Sequence, residues 1–204
     1  SAAASTAIET MVARGTVAVG DIANGTWAAP LLARSSLRGL AFHEIFGFRA
    51  ADTESILEAA AGRLETIDAH PDVRSAHDRF TTVLTPHAAH TTSHSLLKAL
   101  GGRAVASGEM LSIHVAESDE EIQFLRDGTG PFKDFLIERG AWEPSWKAPG
   151  QTPIEYLDRL GVLTPRTLAV HCVHIDHRDL SRLQARGVTV VTCPRSNQRL
   201  GVGK

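Results

Sequence analysis

Short runs of β-branched and apolar residues recur along the chain. They are separated by longer stretches in which apolar positions fall three and four apart. The runs are too short for helices, and the stretches between them carry helix start and stop signals. Strands are therefore expected over Thr16–Ile22, Ser36–Ile45, Phe80–Thr85, Met110–Val115, Thr167–Val170 and Val188–Cys193. Helices are expected over Ser1–Ala13, Trp27–Arg34, Asp52–Ala69, Ser93–Arg103, from Asp119 onward, Phe132–Arg139, from Thr152 onward, and Asp179–Arg186. Ser118 and Asp119 are candidate N-caps, and Thr152-Pro-Ile-Glu155 has capping-box form with proline at the first position. Gly101-Gly102 reads as a helix stop, and the segment from His70 to His77 as surface loop. Strands alternating with helices predict a parallel sheet of βα units.

Composition narrows the function more than the fold. A chain of 204 residues has room for one α/β domain or for part of a larger barrel. With 43% hydrophobic and 22% charged residues it has the make-up of a soluble globular protein. A net charge of −2 with no basic stripe speaks against a nucleic-acid partner. No apolar run is long enough to span a bilayer, and the alanine-rich start lacks the pattern of a signal segment. The expectation is a cytoplasmic enzyme with a small-molecule substrate and neither nucleic-acid nor membrane partners. Cys172 and Cys193 follow strand-like runs and read as buried thiols. Cys193 has an apolar setting that offers no activation to a nucleophile. The chain begins at Ser1 without methionine and stops within Leu200–Lys204, so the expectation is the middle of something longer.

In parallel α/β architectures, functional residues sit at the C-terminal ends of strands. Four of the expected strands end in histidine, at His43, His87, His114 and His171, with Glu44 and Glu117 as carboxylates in the same layer. His114 and Glu117 suit a metal ligand beside a proton-transfer group. The same two residues also suit a buried hydrogen-bonded histidine and a solvated carboxylate at a helix start. His90 and His94 read either as a ligand pair or as a polar helix entry, and at least one of His174 and His177 as a structural group.

His114-Val-Ala-Glu117, Ala169-Val-His171-Cys-Val-His174 and Cys193-Pro-Arg-Ser-Asn197 with Leu200-Gly201 occur in this order. Together with Thr85-Pro-His87-Ala and Gly15-Thr-Val-Ala-Val-Gly-Asp, they resemble the amidohydrolase superfamily, in its branch of aromatic-base deaminases and chlorohydrolases. The resemblance implies a (β/α)8 TIM barrel, with residues 1–204 as a partial hydrolase domain covering roughly strands two to seven. It implies His114 as a metal ligand, and Glu117 as the group that carries a proton from water to the substrate's ring nitrogen. His171 would activate water or touch the metal, His87 would contact substrate, and Ser196 and Asn197 would shape the site. One divalent metal ion is implied, zinc first and iron second. The family's His-x-His pair and its eighth-strand aspartate would lie outside this sequence.

The implied activity is hydrolysis of a carbon–nitrogen bond, deaminating an aromatic base or nucleoside-like amine. Dechlorination or amide hydrolysis at the same site, or a non-catalytic barrel module, are the alternatives. Open barrel edges would favour homo-oligomers or self-association.

Overall fold

The computed structural model describes residues 2–203; Ser1 and Lys204, which the expected first helix and the final loop include, lie outside the described residues. Two compact units emerge, one from residues 1–45 and 55–85, the other from 46–54 and 86–204.

The first unit carries strands β1 (Ala18–Ala23), β2 (Arg38–Ile45) and β3 (Phe80–Pro86), in that order across a three-stranded sheet. β1 and β2 pair in parallel, from Ala18 opposite Arg38 to Ala23 opposite His43. Helices α1 (Ala2–Ala13), α2 (Ala28–Arg34), α3 (Thr53–Asp68) and α4 (Pro71–Ser75) accompany them. Leu32, Leu37, Ala41, Ile67, Val73 and Phe80 form the core of this unit, with Ile8 and Met11 of α1 packed against it. α4 replaces the loop expected here. His70 caps it by accepting the Asp72 N–H on its Nδ1 at 3.3 Å, and Pro71 opens the first turn.

Gly39 lies where β1 and β2 leave no room for a side chain. Its φ is +146°, and a Cβ there would stand 1.8 Å from the Val19 carbonyl oxygen. Its own N–H donates to the Arg79 carbonyl at 2.9 Å.

The second unit carries β4 (Leu111–Val115), β5 (Thr167–His171) and β6 (Thr189–Val191), parallel and in that order. Helices α5 (His94–Ser107), α6 (Asp119–Asp127), α7 (Pro131–Glu138), α8 (Pro153–Arg159), α9 (His177–Ala185) and α10 (Pro194–Leu200) surround this sheet's connections. β4 is buried at every position except His114, which is half-buried, as expected of a parallel strand covered on both faces. Leu97, Ile113, Val115, Phe124, Ile154, Leu157 and Ala169 make the core. The loop after α7 is pinned by Trp146 stacked on Phe124, with ring centroids 4.7 Å apart.

Ser118 and Thr152 cap their helices as expected, and Ser93 and Asp176 cap two more. Each accepts an N–H from the first turn of the helix it opens.

Two expectations fail here. α5 does not stop at Gly101-Gly102 but runs to Ser107 and ends at Gly108, whose φ is +69°. Gly101 is instead a packing residue, since a Cβ there would lie 3.3 Å from the Val162 Cα. The last strand is also shorter than expected, because Pro194 starts α10 at its first turn. Among the described residues, no helix is long and apolar enough to cross a membrane.

These two glycine environments separate backbone clash from propensity. Gly39→Ala should cost about 3 kcal/mol or more, because backbone rather than side chain must yield. Gly102→Ala, exposed in α5 with nothing within 4 Å of the added carbon, should be neutral or stabilise by up to about 1 kcal/mol. Equal urea midpoints for the two variants would contradict this reading of the β1–β2 contact.

Candidate active site

Only Ala116, Glu117 and Ser118 separate β4 from α6. The chain reverses in that space by placing Ala116 at φ +50°, and the tip of β5 is equally unusual, with His171 at +78° and Cys172 at +50°. Left-handed geometry at non-glycine residues costs about 1–3 kcal/mol each and persists only where surrounding bonds enforce it. Those bonds are present. Cys172 donates its N–H to the Val115 carbonyl at 3.0 Å, and Val173 and His174 both donate to the Ala116 carbonyl at 2.9 Å. The two strand tips are thus tied to each other through backbone, and their side chains converge.

His171 Nε2 lies 3.1 Å from His114 Nδ1 and 3.3 Å from Glu117 Oε1. The other ring nitrogen of His171 is 2.8 Å from the Asn197 amide oxygen, and Asn197 is buried on α10. That oxygen can only accept, so Nδ1 donates to it and Nε2 is the nitrogen that faces His114 and Glu117. His87, just past β3, accepts the His114 N–H on its carbonyl at 2.9 Å, and the two rings stand 5.2 Å apart. Its Nδ1 meets the Thr91 hydroxyl at 2.7 Å while Phe46 stacks on its ring at 4.5 Å. A cavity of about 400 Å³ opens beside this group, lined by His171, Cys172, Val173, Thr192, Pro194, Asn197 and Gln198.

His87, His114, Glu117 and His171 are therefore brought together, all in the second unit. His43 and Glu44 belong to β2 of the first unit. His43 is buried there with neither ring nitrogen hydrogen-bonded, and burial, then the Arg63 charge, lowers its pKa. His174 is structural, holding the Val202 carbonyl through Nε2 at 2.7 Å and the Asp119 carboxylate through Nδ1 at 3.0 Å. Burial pushes the Cys172 thiol up to about 12, which excludes it as a nucleophile.

Two residues of this neighbourhood escape the sequence reading. His90 is not a polar helix entry. It is buried and lies flat against Phe132, with centroids 4.0 Å apart and planes 2° from parallel. Burial first, then the neighbouring His87 and His114, drive its pKa down to about 3, so it is neutral. His94, by contrast, is an exposed first residue of α5. Glu121 is the other. It is buried, it accepts the Glu117 N–H at 3.0 Å, and burial raises its pKa to about 7. The Ser118-x-x-Glu121 capping-box spacing is the signal that could have found it.

His114, Glu117 and His171 each offer one donor atom, all within 4.8 Å of one another. Two nitrogens bound at 2.0–2.1 Å to a tetrahedral ion stand roughly 3.3 Å apart, so the 3.1 Å between His114 Nδ1 and His171 Nε2 is the spacing of a ligand pair. Two imidazoles with a carboxylate beside them are a donor set suited to zinc.

The amidohydrolase family pattern matches residues 1–204. The chain belongs to the amidohydrolase family. Its fold is part of the (β/α)8 barrel of these hydrolases. Among similar proteins, aminodeoxyfutalosine deaminase of Deinococcus radiodurans is 36% identical over 212 residues, covering 99% of this chain and 49% of that protein. The 5-methylthioadenosine/S-adenosylhomocysteine deaminase of Pelotomaculum thermopropionicum is 33% identical over 162 residues, 77% of this chain and 33% of that one. The crystal structure of an adenosine deaminase from Xanthomonas campestris with bound zinc superposes with a TM-score of 0.72 at 23% identity, covering 98% of this chain and 40% of the other. The chain thus spans half or less of the length of these amidohydrolases.

His90 gives this site a measurable acid response. Its folded pKa of about 3 lies below the unfolded value of 6.5, so the unfolded chain binds the extra proton as pH falls. Its contribution is complete above 6.5 and is lost as pH drops toward 3. Relative to His90→Phe, which keeps the stack on Phe132, the native protein should lose up to about 1.4 kcal/mol per pH unit in that window. Parallel stability–pH curves for the two would place His90 in contact with solvent.

Proposed function

We propose that the protein containing this chain is a metal-dependent deaminase of an adenosine-type nucleoside, with Glu117 as its proton carrier. The observation that carries this is the placement of Glu117 Oε1 3.3 Å from His171 Nε2, beside His114 Nδ1. Its similarity to aminodeoxyfutalosine and methylthioadenosine/adenosylhomocysteine deaminases supports the substrate class.

His114 would hold the metal in this reading, with His171 Nε2 3.1 Å from its Nδ1. A divalent ion, zinc by its donor set, supplies a water acidified toward a pKa of about 7. Glu117 takes a proton from the attacking water and delivers it to the ring nitrogen adjacent to the amino-bearing carbon. His171, its Nδ1–H held by Asn197, keeps its Nε2 aimed at the same point and orients the water. His87, fixed by Thr91 and Phe46, contacts the substrate. The neutral His90–Phe132 stack behind His87 keeps a second positive charge out of a site that must hold a cation. The remaining hydroxyl proton then passes through Glu117 to the amino group, which leaves as ammonia as the carbon–oxygen double bond forms.

The test uses the full-length protein with ammonia detection over a panel of adenosine, 5′-modified adenosines, guanine and a chlorotriazine. Ammonia release from the adenosines is expected. Chloride release from the triazine alone would replace this reading with the chlorohydrolase one. Glu117→Gln should keep the metal and lose about 10²-fold or more in kcat, since the amide preserves shape and cannot carry the proton. His114→Ala should lose metal instead, by elemental analysis. Near-normal turnover in Glu117→Gln would assign proton transfer elsewhere.

A further inference from the structure

The backbone of Glu117 is held from two sides. On the carbonyl side, Ala116 accepts the N–H groups of Val173 and His174, both at 2.9 Å. On the amide side, the Glu117 N–H donates to Glu121 Oε2 at 3.0 Å. We propose that Glu121 is the positioning residue for Glu117, fixing the strained turn from which the proton-carrying carboxylate projects. The proposal rests on the deaminase reading for its catalytic consequence, but its geometry stands on the turn itself.

Three features support it. The turn has no slack, because Ala116 at φ +50° and Glu117 lie between the end of β4 and Ser118, the N-cap of α6. Ser118 Oγ accepts the Glu121 N–H, so the reciprocal bond of Glu121 to the preceding amide closes the capping box one residue earlier than usual. Glu121 is only 1% exposed, and its second oxygen, Oε1, is buried with no hydrogen-bond partner. A carboxyl buried with half its acceptor capacity unused is a poor way to stabilise a helix start. Its other oxygen, Oε2, accepts the amide of the residue whose side chain carries the proton. A general acid–base must be held within about 0.5 Å of its working position, and a displacement of about 1 Å can cost 10²-fold.

The experiment compares Glu121→Leu and Glu121→Gln with the native full-length, metal-loaded enzyme, reading kinetics and backbone amide exchange at Glu117. Glu121→Leu removes the acceptor and should lower kcat by about 30- to 100-fold with KM within about threefold. Its Glu117 amide should exchange at least tenfold faster, with metal content unchanged. Glu121→Gln keeps an oxygen for the same N–H and should restore both the protection and most of kcat. Wild-type kcat in folded Glu121→Leu, or a Glu121→Gln that falls as far as Glu121→Leu, would overturn the proposal. If Glu121→Leu fails to fold, the native protein and Glu121→Gln still decide: an unprotected Glu117 amide in either overturns it. A native enzyme without deaminase turnover would sink the deaminase reading alone, and the exchange data would still judge Glu121.

Discussion

The Ala116 carbonyl accepts two amides from the far side of a β4–β5 step, and the candidate site depends on that shared acceptor. Two strand tips with left-handed φ at Ala116, His171 and Cys172 would relax if each stood alone. Bound together through Val173, His174 and Cys172, neither can move without breaking hydrogen bonds of the other. The constraint converts the parallel register of β4 and β5, in which Val115 faces His171, into a fixed meeting point for His114, Glu117 and His171. The chemistry is carried by side chains, but backbone sets their distances.

Around this meeting point the electrostatics are arranged to leave room for one positive centre. His171 donates its Nδ1–H to Asn197, which turns Nε2 inward. His90 is kept neutral by burial against Phe132. Cys172, whose pKa burial raises to about 12, is held protonated. A cation among His114, His171 and Glu117 would therefore meet acceptors and not competing charge.

Much of this was legible in the chain. Histidines at the ends of apolar runs pointed to His87, His114 and His171, because a parallel βα arrangement collects strand ends on one side. The N-caps Ser118 and Thr152 were legible because capping is local chemistry. What the sequence concealed depends on partners distant along the chain. Gly101 looks like a stop signal because its packing partner, Val162, cannot be inferred from its neighbours. His90 looks polar because Phe132, which buries it, lies on a later helix. Glu121 carries a legible capping-box spacing from Ser118, but its target, the Glu117 amide, is set by a positive φ at Ala116 that the sequence does not mark. Proline at the start of α4 and of α10 was a usable signal that the flanking histidines and cysteine obscured.

The central claim is that these strand tips make one metal-centred site. Anomalous diffraction at the zinc edge, from crystals of the full-length protein, tests it most directly. The account predicts a single strong peak about 2.1 Å from a ring nitrogen of His114, with the Glu117 carboxylate and His171 Nε2 facing it. A metal bound elsewhere, with His114 and His171 still hydrogen-bonded to each other, would contradict it.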